Sequence, residues 1–269
     1  MNICFIGGGN MATALIGGLL GRGFLATRIS VVEISADNRA RLQQDFAVRT
    51  FDNIAAGITG SEVIVLAVKP QQLREVAQQL APLLNGQLLI SIAAGILAPD
   101  LARWSNSQAI VRAMPNTPAL IQSGITGLYA LPAVTDGQRE QAQDILVAVG
   151  EILWLQEEAM MDAVTAISGS GPAYVFYLIE ALQQAAQKLG FDAADARRLS
   201  LATFLGASKL AVSSNEDVSV LRARVTSKNG TTERALLSLS ANHVAEHIEQ
   251  AAQAAAARSR EMGKELGKE

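Results

Sequence analysis

Short apolar runs alternate with helical patterns from residue 3 to residue 155 of the chain. The runs have strand length and lack polar alternation, which is typical of strands covered on both faces. We predict strands at Ile3–Ile6, Ile29–Val32, Val63–Val68, Leu88–Ile92 and Ala109–Ala113, with two further candidates at Gly127–Leu131 and Ile152–Leu155. Helices are predicted at Asn10–Leu20, Ala36–Phe46, Gln71–Leu80 and near Gly137–Val149. This order predicts an α/β fold in which helices cover both faces of a parallel sheet.

The pattern becomes helical after Glu157, with no further strand signal. Helices are predicted at Pro172–Leu189, Asp192–Val212 and Asn242–Lys264, with Asp192 as an N-cap and Gly190 as the stop between the first two. We therefore predict two domains, 1–156 and 157–269. An alanine-rich helical domain of this size is marginally stable alone, so we expect it to pack against a second copy of itself.

Composition narrows the possible partners and the location of the protein. A formal charge of −3 over 269 residues disfavours nucleic acid and acidic membrane surfaces as main partners. Cys4 is the single cysteine and lies inside an apolar run, which predicts a buried thiol and excludes a disulfide framework. No apolar run approaches the ~20 residues of a membrane span, and the early first strand leaves no room for a signal peptide. We expect a cytoplasmic protein without membrane partners.

A glycine-rich turn follows the first predicted strand and opens the first helix. The residues Gly7-Gly8-Gly9-Asn10-Met11-Ala12 fit the pattern Gly-x-Gly-x-x-Ala. In that pattern the first glycine permits the tight turn, the second admits the pyrophosphate, and the helix N-terminus faces the negative charge. The alternative is a purely structural turn. With strand, turn and helix in this order, we predict a Rossmann-like NAD(P)-binding domain whose turn contacts come from Ile6, Gly7, Gly8, Gly9, Asn10 and Met11.

Glu33 ends the second predicted strand, about 20 residues beyond the turn. A carboxylate at this position accepts hydrogen bonds from the adenosine ribose and favours NAD over its phosphorylated form. Two alternatives stay open: Glu33 as a solvated strand-end charge, and Arg39 as a partner for a 2′-phosphate.

Three further strand ends converge on the carboxyl edge of the predicted sheet, where ligands bind in this architecture. The small residues at the end of the predicted strand Leu88–Ile92 leave space for a nicotinamide ring, although they also suit close packing. The loop Arg112–Pro118, with prolines on both sides of Asn116, is positioned to form the floor of the site. The cofactor contacts predicted from these strand ends are Ala67, Val68, Lys69, Pro70, Ser91, Ala93, Ala94 and Gly95.

Side chains for other chemistries are sparse. Ser168–Tyr174 opens the first C-terminal helix, where free amides suit a carboxylate, although simple capping by Ser168 or Ser170 is an equal alternative. His243 and His247 are the only histidines, and surface positions suit them better than a metal site. We predict no metal. Hydride transfer fits this sparseness because the cofactor carries the chemistry.

Taken together, the motifs resemble the Δ1-pyrroline-5-carboxylate reductase family over nearly the whole chain. The segments that carry the resemblance, in the order of the family, are Phe-Ile-Gly-x-Gly-Asn-Met at 5–11, Ala-Val-Lys-Pro at 67–70, Ser-Ile-Ala-Ala-Gly at 91–95, Arg-Ala-Met-Pro-Asn-Thr-Pro-Ala at 112–119, Ser-Gly-Ser-Gly-Pro-Ala-Tyr at 168–174 and Gly-Thr-Thr at 230–232. The resemblance implies NAD(P)H-dependent reduction of a cyclic imine to L-proline, the last step of proline biosynthesis. It also implies a helical dimerisation domain, an active site at the subunit interface and assembly of dimers into larger oligomers.

The resemblance further implies roles for individual residues. Thr232 matches the threonine whose hydroxyl binds the ring nitrogen, while Gly230 and Thr231 offer amides to the substrate carboxylate. Glu158 matches a position near bound proline, and Asn53 matches a contact at the adenosine end of the cofactor. The chain departs from the usual Ser-Pro-Gly-Gly-Thr-Thr at Lys228 and Asn229, and Arg224 replaces an asparagine. Asparagine tolerates positive φ better than other non-glycine residues, so the turn is expected to survive.

Two other functions compete with this interpretation. β-Hydroxyacid dehydrogenases share the glycine turn and a helical second domain, but they use a lysine on the interdomain helix. The helix that opens at Pro172 carries no lysine before Lys188. A non-catalytic protein that senses NAD(P)H is supported only by the departures at Arg224, Lys228 and Asn229.

Overall fold

A computed structural model describes residues 1–267 of the chain. Within these residues the apolar runs form an eight-stranded sheet. Its strands are β1 (Ile3–Ile6), β2 (Ile29–Val32), β3 (Arg49–Phe51), β4 (Val63–Leu66), β5 (Leu88–Ser91), β6 (Ile110–Met114), β7 (Gly124–Ala130) and β8 (Gly150–Trp154).

Twelve α-helices accompany the sheet in the described residues. They are α1 (Asn10–Gly21), α2 (Ala36–Phe46), α3 (Ile54–Gly57), α4 (Pro70–Leu80), α5 (Ala98–Ser105), α6 (Asp136–Leu146), α7 (Met160–Val164), α8 (Gly171–Lys188), α9 (Ala193–Ser213), α10 (Val218–Arg224), α11 (Thr231–Ala241) and α12 (Val244–Leu266).

The strand order of the sheet is β3-β2-β1-β4-β5-β6-β7-β8. The first six strands are parallel, which confirms the predicted α/β class, and the chain order reverses beside β1 as in doubly wound folds. Two features differ from the prediction. β3 was not predicted, and β7 pairs antiparallel with β6 and parallel with β8, so the two last strands run against the others.

The hydrophobic core lies along the central strands. All four residues of β1, β2, β4 and β5 are buried, which explains why these runs lack polar alternation. The Cys4 thiol is free and buried here, as predicted. Burial disfavours its thiolate and raises the pKa of Cys4 to about 11, so this thiol stays protonated at neutral pH.

The chain forms two compact units. The first contains Met1–Ser170 together with residues 255–267, and the second contains Gly171–Ala254. The C-terminal half of α12 therefore belongs to the first unit, which no local sequence pattern indicates. The predicted domain boundary between 156 and 157 stays a prediction.

The second unit contains α8 to α11 and the beginning of α12. The turn between α8 and α9 follows the predicted chemistry: Gly190 takes φ +102, and the Asp192 side chain caps α9 by accepting from the Asp195 amide at 2.8 Å. Large apolar side chains are exposed on this unit, including Phe176, Tyr177, Leu205 and Leu210. An unpartnered apolar surface of this kind marks an interaction surface. No helix in the described part of the chain is long and apolar enough to cross a membrane.

Candidate cofactor and substrate sites

The glycine turn between β1 and α1 has the geometry that phosphate binding requires. Gly7 takes φ +99, and a Cβ there would lie 2.6 Å from the Ala67 carbonyl oxygen, so only glycine fits. Gly9 is the N-cap of α1 and takes φ −73, with no side-chain cap. A Cβ added at Gly9 would find no atom within 4 Å. The turn therefore leaves open space beside an uncapped helix N-terminus, which is an anion-binding arrangement.

This turn forms one wall of a cavity of about 530 Å³. Nine of the predicted cofactor residues line it: Ile6, Gly7, Gly8, Gly9, Glu33, Asn53, Ala67, Val68 and Lys69. The other predicted cofactor residues are not in its lining: Asn10, Met11, Pro70, Ser91, Ala93, Ala94 and Gly95. The cavity thus collects the ends of β1, β2 and β4, and the contacts predicted beyond them stay predictions.

Eight residues without a predicted role also line the cavity: Val32, Ile34, Asp52, Ile54, Gln72, Glu75, Val76 and Gln79. The last four lie on α4 at spacings of three or four residues, and therefore on one helix face. The sequence could have identified these four residues, because Lys69-Pro70 begins a helix at the site and their spacing defines one face of that helix.

Glu33 is held in place by backbone amides at the mouth of the turn. Its Oε2 accepts from the Gly8 amide at 3.0 Å, and its Oε1 accepts from the Ser35 amide at 2.9 Å. Arg39 donates from Nη1 to the carbonyl oxygens of Glu33 and Ile34, at 2.7 and 3.0 Å. The carboxylate therefore lies in the cavity, while at least part of the Arg39 guanidinium is occupied by backbone oxygens.

The charged side chains that line this cavity are mostly acidic. Glu33, Asp52 and Glu75 are in the lining, against Lys69 as a cation. Asn53 is a structural partner of this group, because its Oδ1 caps α3 through the Ala56 amide at 2.9 Å and its Nδ2 donates to Asp52. The negative charge of these side chains disfavours an additional phosphate group beside Glu33 and Asp52.

The loop 92–97 after β5 carries the small residues that were predicted near the nicotinamide. Ala93 is 4% exposed, and its amide lies 3.4 Å from Ser91 Oγ. Gly95 takes φ +77 and faces the C-terminal part of α12, with Met262 and Leu266 beside it. In the neighbouring loop, Asn116 Oδ1 accepts from the Ile125 amide at 3.0 Å, so this predicted floor residue joins β6 to β7.

Glu158 makes two contacts with the protein. Its Oε1 accepts from the Ala98 amide at 2.6 Å and from Arg112 Nη1 at 3.0 Å. Arg112 is 4% exposed, so the pair is largely removed from water. A substrate role for Glu158 stays a prediction, whereas its structural contacts are to the start of α5 and to β6.

The serine-glycine motif at 168–174 spans the end of a π-helical turn and the start of α8 at Gly171. Residues Thr165–Gly169 form a π-helical turn directly after α7, and the Ser170 amide donates to the Thr165 carbonyl at 2.8 Å. Gly169 lies against Met114, because a Cβ there would be 2.6 Å from Met114 Cε at the end of that flexible side chain. The Ser170 amide is therefore already bonded and not free for a carboxylate, whereas a carboxylate site at the first turn of α8 stays a prediction.

Three of the four predicted substrate residues, all except Glu158, lie at the start of α11 in the second unit. Gly230 is the N-cap, Thr231 and Thr232 occupy the first turn, and no side chain caps their amides. The preceding Asn229 takes φ +61, as expected, and its amide donates to Glu233 Oε2 at 2.7 Å. The first-turn amides of α11 are thus available to an anion.

Arg224 is occupied by a neighbouring acid. Its guanidinium makes a two-pronged ion pair with Glu216, in which Nη2 lies 2.6 Å from Oε1. The pair joins the segment after α9 to the end of α10. Nothing in the described residues brings three His, Cys, Asp or Glu side chains together as a metal site.

The doubly wound sheet, the glycine turn and the Glu33 cavity define a dinucleotide-binding domain, which a helical unit follows in the chain. Comparison with known families agrees for both parts. Residues 2–95 match the family described as NADP oxidoreductase coenzyme F420-dependent, and residues 158–262 match the family described as pyrroline-5-carboxylate reductase dimerisation. The chain belongs to the pyrroline-5-carboxylate reductase family.

Individual relatives support this assignment over most of the chain. It is 49% identical to a pyrroline-5-carboxylate reductase of Pseudomonas aeruginosa, with 89% of each chain covered, and 46% identical to that of Haemophilus influenzae, with 90% covered. A solved pyrroline-5-carboxylate reductase from Coxiella burnetii superposes with a TM-score of 0.93 at 39% identity, covering 97% of this chain and 98% of that one. A Plasmodium falciparum pyrroline carboxylate reductase with NADP bound superposes at 0.86 and 29% identity, covering 98% of both chains.

Proposed function

We propose that the protein reduces 1-pyrroline-5-carboxylate to L-proline with NAD(P)H, the last step of proline biosynthesis. The observation that carries the proposal is the cavity at the glycine turn, in a chain whose C-terminal region matches the reductase dimerisation domain. The solved relative with NADP bound supports the choice of cofactor class.

The residues of the first unit fit a dinucleotide. The open space at Gly9 admits the pyrophosphate, and the uncapped α1 amides offset its charge. Glu33, fixed by the Gly8 and Ser35 amides, is oriented toward ribose hydroxyls rather than free to rotate. When bound, NAD(P)H supplies the hydride that the reaction needs.

The residues of α11 fit the imine and its carboxylate. The Thr231 and Thr232 amides, beyond the Gly230 N-cap, donate to the substrate carboxylate, because they lack side-chain partners. Thr232 is half-buried, and no protein group in residues 1–267 bonds to its hydroxyl. The hydroxyl is therefore free to accept a hydrogen bond from the protonated ring nitrogen.

The reaction requires little acid–base chemistry from the protein. A cyclic imine that is protonated on nitrogen is electrophilic at carbon, so hydride addition converts the C=N bond to a C–N bond and leaves the proton on nitrogen. The nicotinamide cofactor is oxidised in the same step. The protein contributes orientation and charge complementarity, which are large terms for such a reaction.

The decisive experiment is a spectrophotometric assay with purified protein, racemic pyrroline-5-carboxylate and NADH or NADPH. We expect the nicotinamide absorbance to fall and proline to accumulate. A β-hydroxyacid dehydrogenase would instead turn over hydroxy acids, and α8 offers only its terminal Lys188 for that chemistry. Cofactor binding without oxidation at any pH would identify a sensor and would contradict the proposal.

A single glycine tests the cofactor site independently of turnover. Gly9→Ala is expected to fold with an unchanged melting temperature, because the added Cβ meets no protein atom and φ is −73. NADH affinity should fall by about tenfold or more, because the added methyl group crowds the pyrophosphate and a loss of ~1.4 kcal/mol in binding free energy weakens binding tenfold. Calorimetric titration measures this affinity.

Gly137→Ala is the matched control, because a Cβ there also meets no atom within 4 Å and the position is outside the cavity. It should raise stability slightly, as alanine does in place of a helical glycine, and should leave NADH affinity unchanged. If Gly9→Ala also binds NADH like the wild type, the pyrophosphate does not approach this turn.

We further propose a homodimer built from the helical unit, assembling into a larger oligomer, and a cytoplasmic location. The dimer is supported by the matched dimerisation family and by the exposed apolar side chains of the second unit. Multi-angle light scattering at several concentrations would measure the assembly, and a monomer at micromolar concentration would contradict it.

A further inference from the structure

The loop 92–97 is packed against the C-terminal part of α12, and both belong to the first unit. A Cβ at Gly95 would lie 3.3 Å from Met262 Cβ and 3.3 Å from Leu266 Cδ1. In the opposite direction, a Cβ at Gly263 would lie 3.4 Å from the Gly95 carbonyl oxygen. Two glycines thus let the helix approach the loop backbone closely, and the Met262 and Leu266 side chains cover it.

The end of the same loop is held by Glu158. Leu97 is the N-cap of α5 and provides no side-chain cap, so the Ala98 amide is bonded instead by Glu158 Oε1 at 2.6 Å. The same oxygen accepts from the buried Arg112 at 3.0 Å. A charge-assisted bond to a helix N-terminus is stronger than a neutral one, so Glu158 fixes the point at which the loop enters α5.

A third contact joins these two supports to each other. Ser259 on α12 is 5% exposed and donates from Oγ to Asp162 Oδ1 at 2.6 Å. Asp162 lies on α7, four residues after Glu158 in sequence. The loop, the segment 158–162 and the C-terminal part of α12 therefore form a closed set of contacts, in which each part restrains the other two.

We propose that Glu158 and Gly263 are positioning residues. They hold the backbone of the loop 92–97 at the distance from the nicotinamide ring that hydride transfer requires. The inference rests on the proposed function, in which Ala93, Ala94 and Gly95 lie beside that ring. Neither residue lines the cavity at the glycine turn, so their action reaches the cofactor through the loop backbone. Hydride transfer is sensitive to such displacements, because a shift of about 1 Å can cost up to about 100-fold in rate.

The test uses Gly263→Leu and Glu158→Ala in the full-length protein, with two measurements. The first is kcat and the KM for the imine. The second is the affinity for NADH and for ADP-ribose, which has the same adenosine and pyrophosphate but no nicotinamide. We expect kcat to fall about tenfold or more and NADH to bind more weakly, while ADP-ribose binds as it does to the wild type.

Two further variants separate positioning from general damage. Glu158→Gln keeps an oxygen for the Ala98 amide and should recover a large part of the kcat that Glu158→Ala loses. Arg258→Ala removes an ion pair with Glu261 and Glu265 on an exposed part of α12 and should behave like the wild type.

Each contrary result has a distinct meaning. Wild-type kcat and NADH affinity in both test variants would overturn the proposal. An equal loss of NADH and ADP-ribose affinity would show damage to the whole nucleotide site and would also overturn it. A higher imine KM in Glu158→Ala with unchanged NADH affinity would make Glu158 a substrate ligand instead. An inactive wild type would refute the proposed reaction, while the comparison of NADH with ADP-ribose would still decide the positioning.

Discussion

Thr232→Ala is expected to lower kcat by about 100-fold while NADH affinity stays at the wild-type value. In the proposed function the Thr232 hydroxyl meets the ring nitrogen, and removal of one oriented hydrogen-bonding group in an active site costs about 10²–10³ in rate. The first-turn amides and the Gly230 N-cap are retained, so the carboxylate site should persist. Steady-state kinetics with the imine, together with NADH titration, measure both quantities.

Thr232→Ser and Thr203→Ala are the controls for this prediction. Serine keeps a hydroxyl at the same position and should retain much of the activity. Thr203 lies on α9, and its hydroxyl bonds to the Leu199 carbonyl at 2.8 Å, so its removal tests the loss of a helical threonine away from α11. Wild-type turnover in Thr232→Ala would remove this hydroxyl from the mechanism.

Glu33→Ser is expected to shift the ratio of kcat/KM for NADH over NADPH by about tenfold or more toward NADPH. A 2′-phosphate carries about −1.5 to −2 charge at pH 7. In the wild type it would approach a carboxylate that the Gly8 and Ser35 amides hold in the cavity. If the substitution removes ~1.4 kcal/mol of repulsion between the 2′-phosphate and Glu33, the NADH-to-NADPH ratio of kcat/KM changes tenfold. Serine removes this charge but keeps a hydroxyl.

The wild type is accordingly expected to prefer NADH. Asp37→Ser on α2 removes one charge nearby but outside the cavity lining, so it controls for a general change in surface potential. An unchanged cofactor ratio in Glu33→Ser would make Glu33 a brace for the glycine turn with no part in selecting the cofactor.

The sheet was largely predictable because its strands are continuous apolar runs. β1, β2, β4 and β5 are buried along their whole length, so their positions follow from hydropathy alone. β3 was missed because Arg49–Phe51 is short and none of its residues is fully buried. The reversed direction of β7 was also missed, since strand direction depends on pairing with β6 and no local pattern encodes it.

The site was predictable where the signal is local. The glycine turn and Glu33 follow from short-range spacing, and both line the cavity. The partners of Glu158 lie 46 and 60 residues away in sequence, so no motif could have revealed that it braces α5 and Arg112. The contact between Gly95 and α12 is more distant still and depends on the whole fold.

The discontinuity of the first unit has a consequence for the order in which the protein folds. Residues 255–267 complete a unit whose other residues all precede Gly171. During synthesis, domains generally fold from the N-terminus as the chain emerges. Here the nascent sheet must wait for the last helical segment, with the whole second unit translated in between. A ribosome-bound chain that stops before residue 255 would therefore carry an unfinished nucleotide-binding unit.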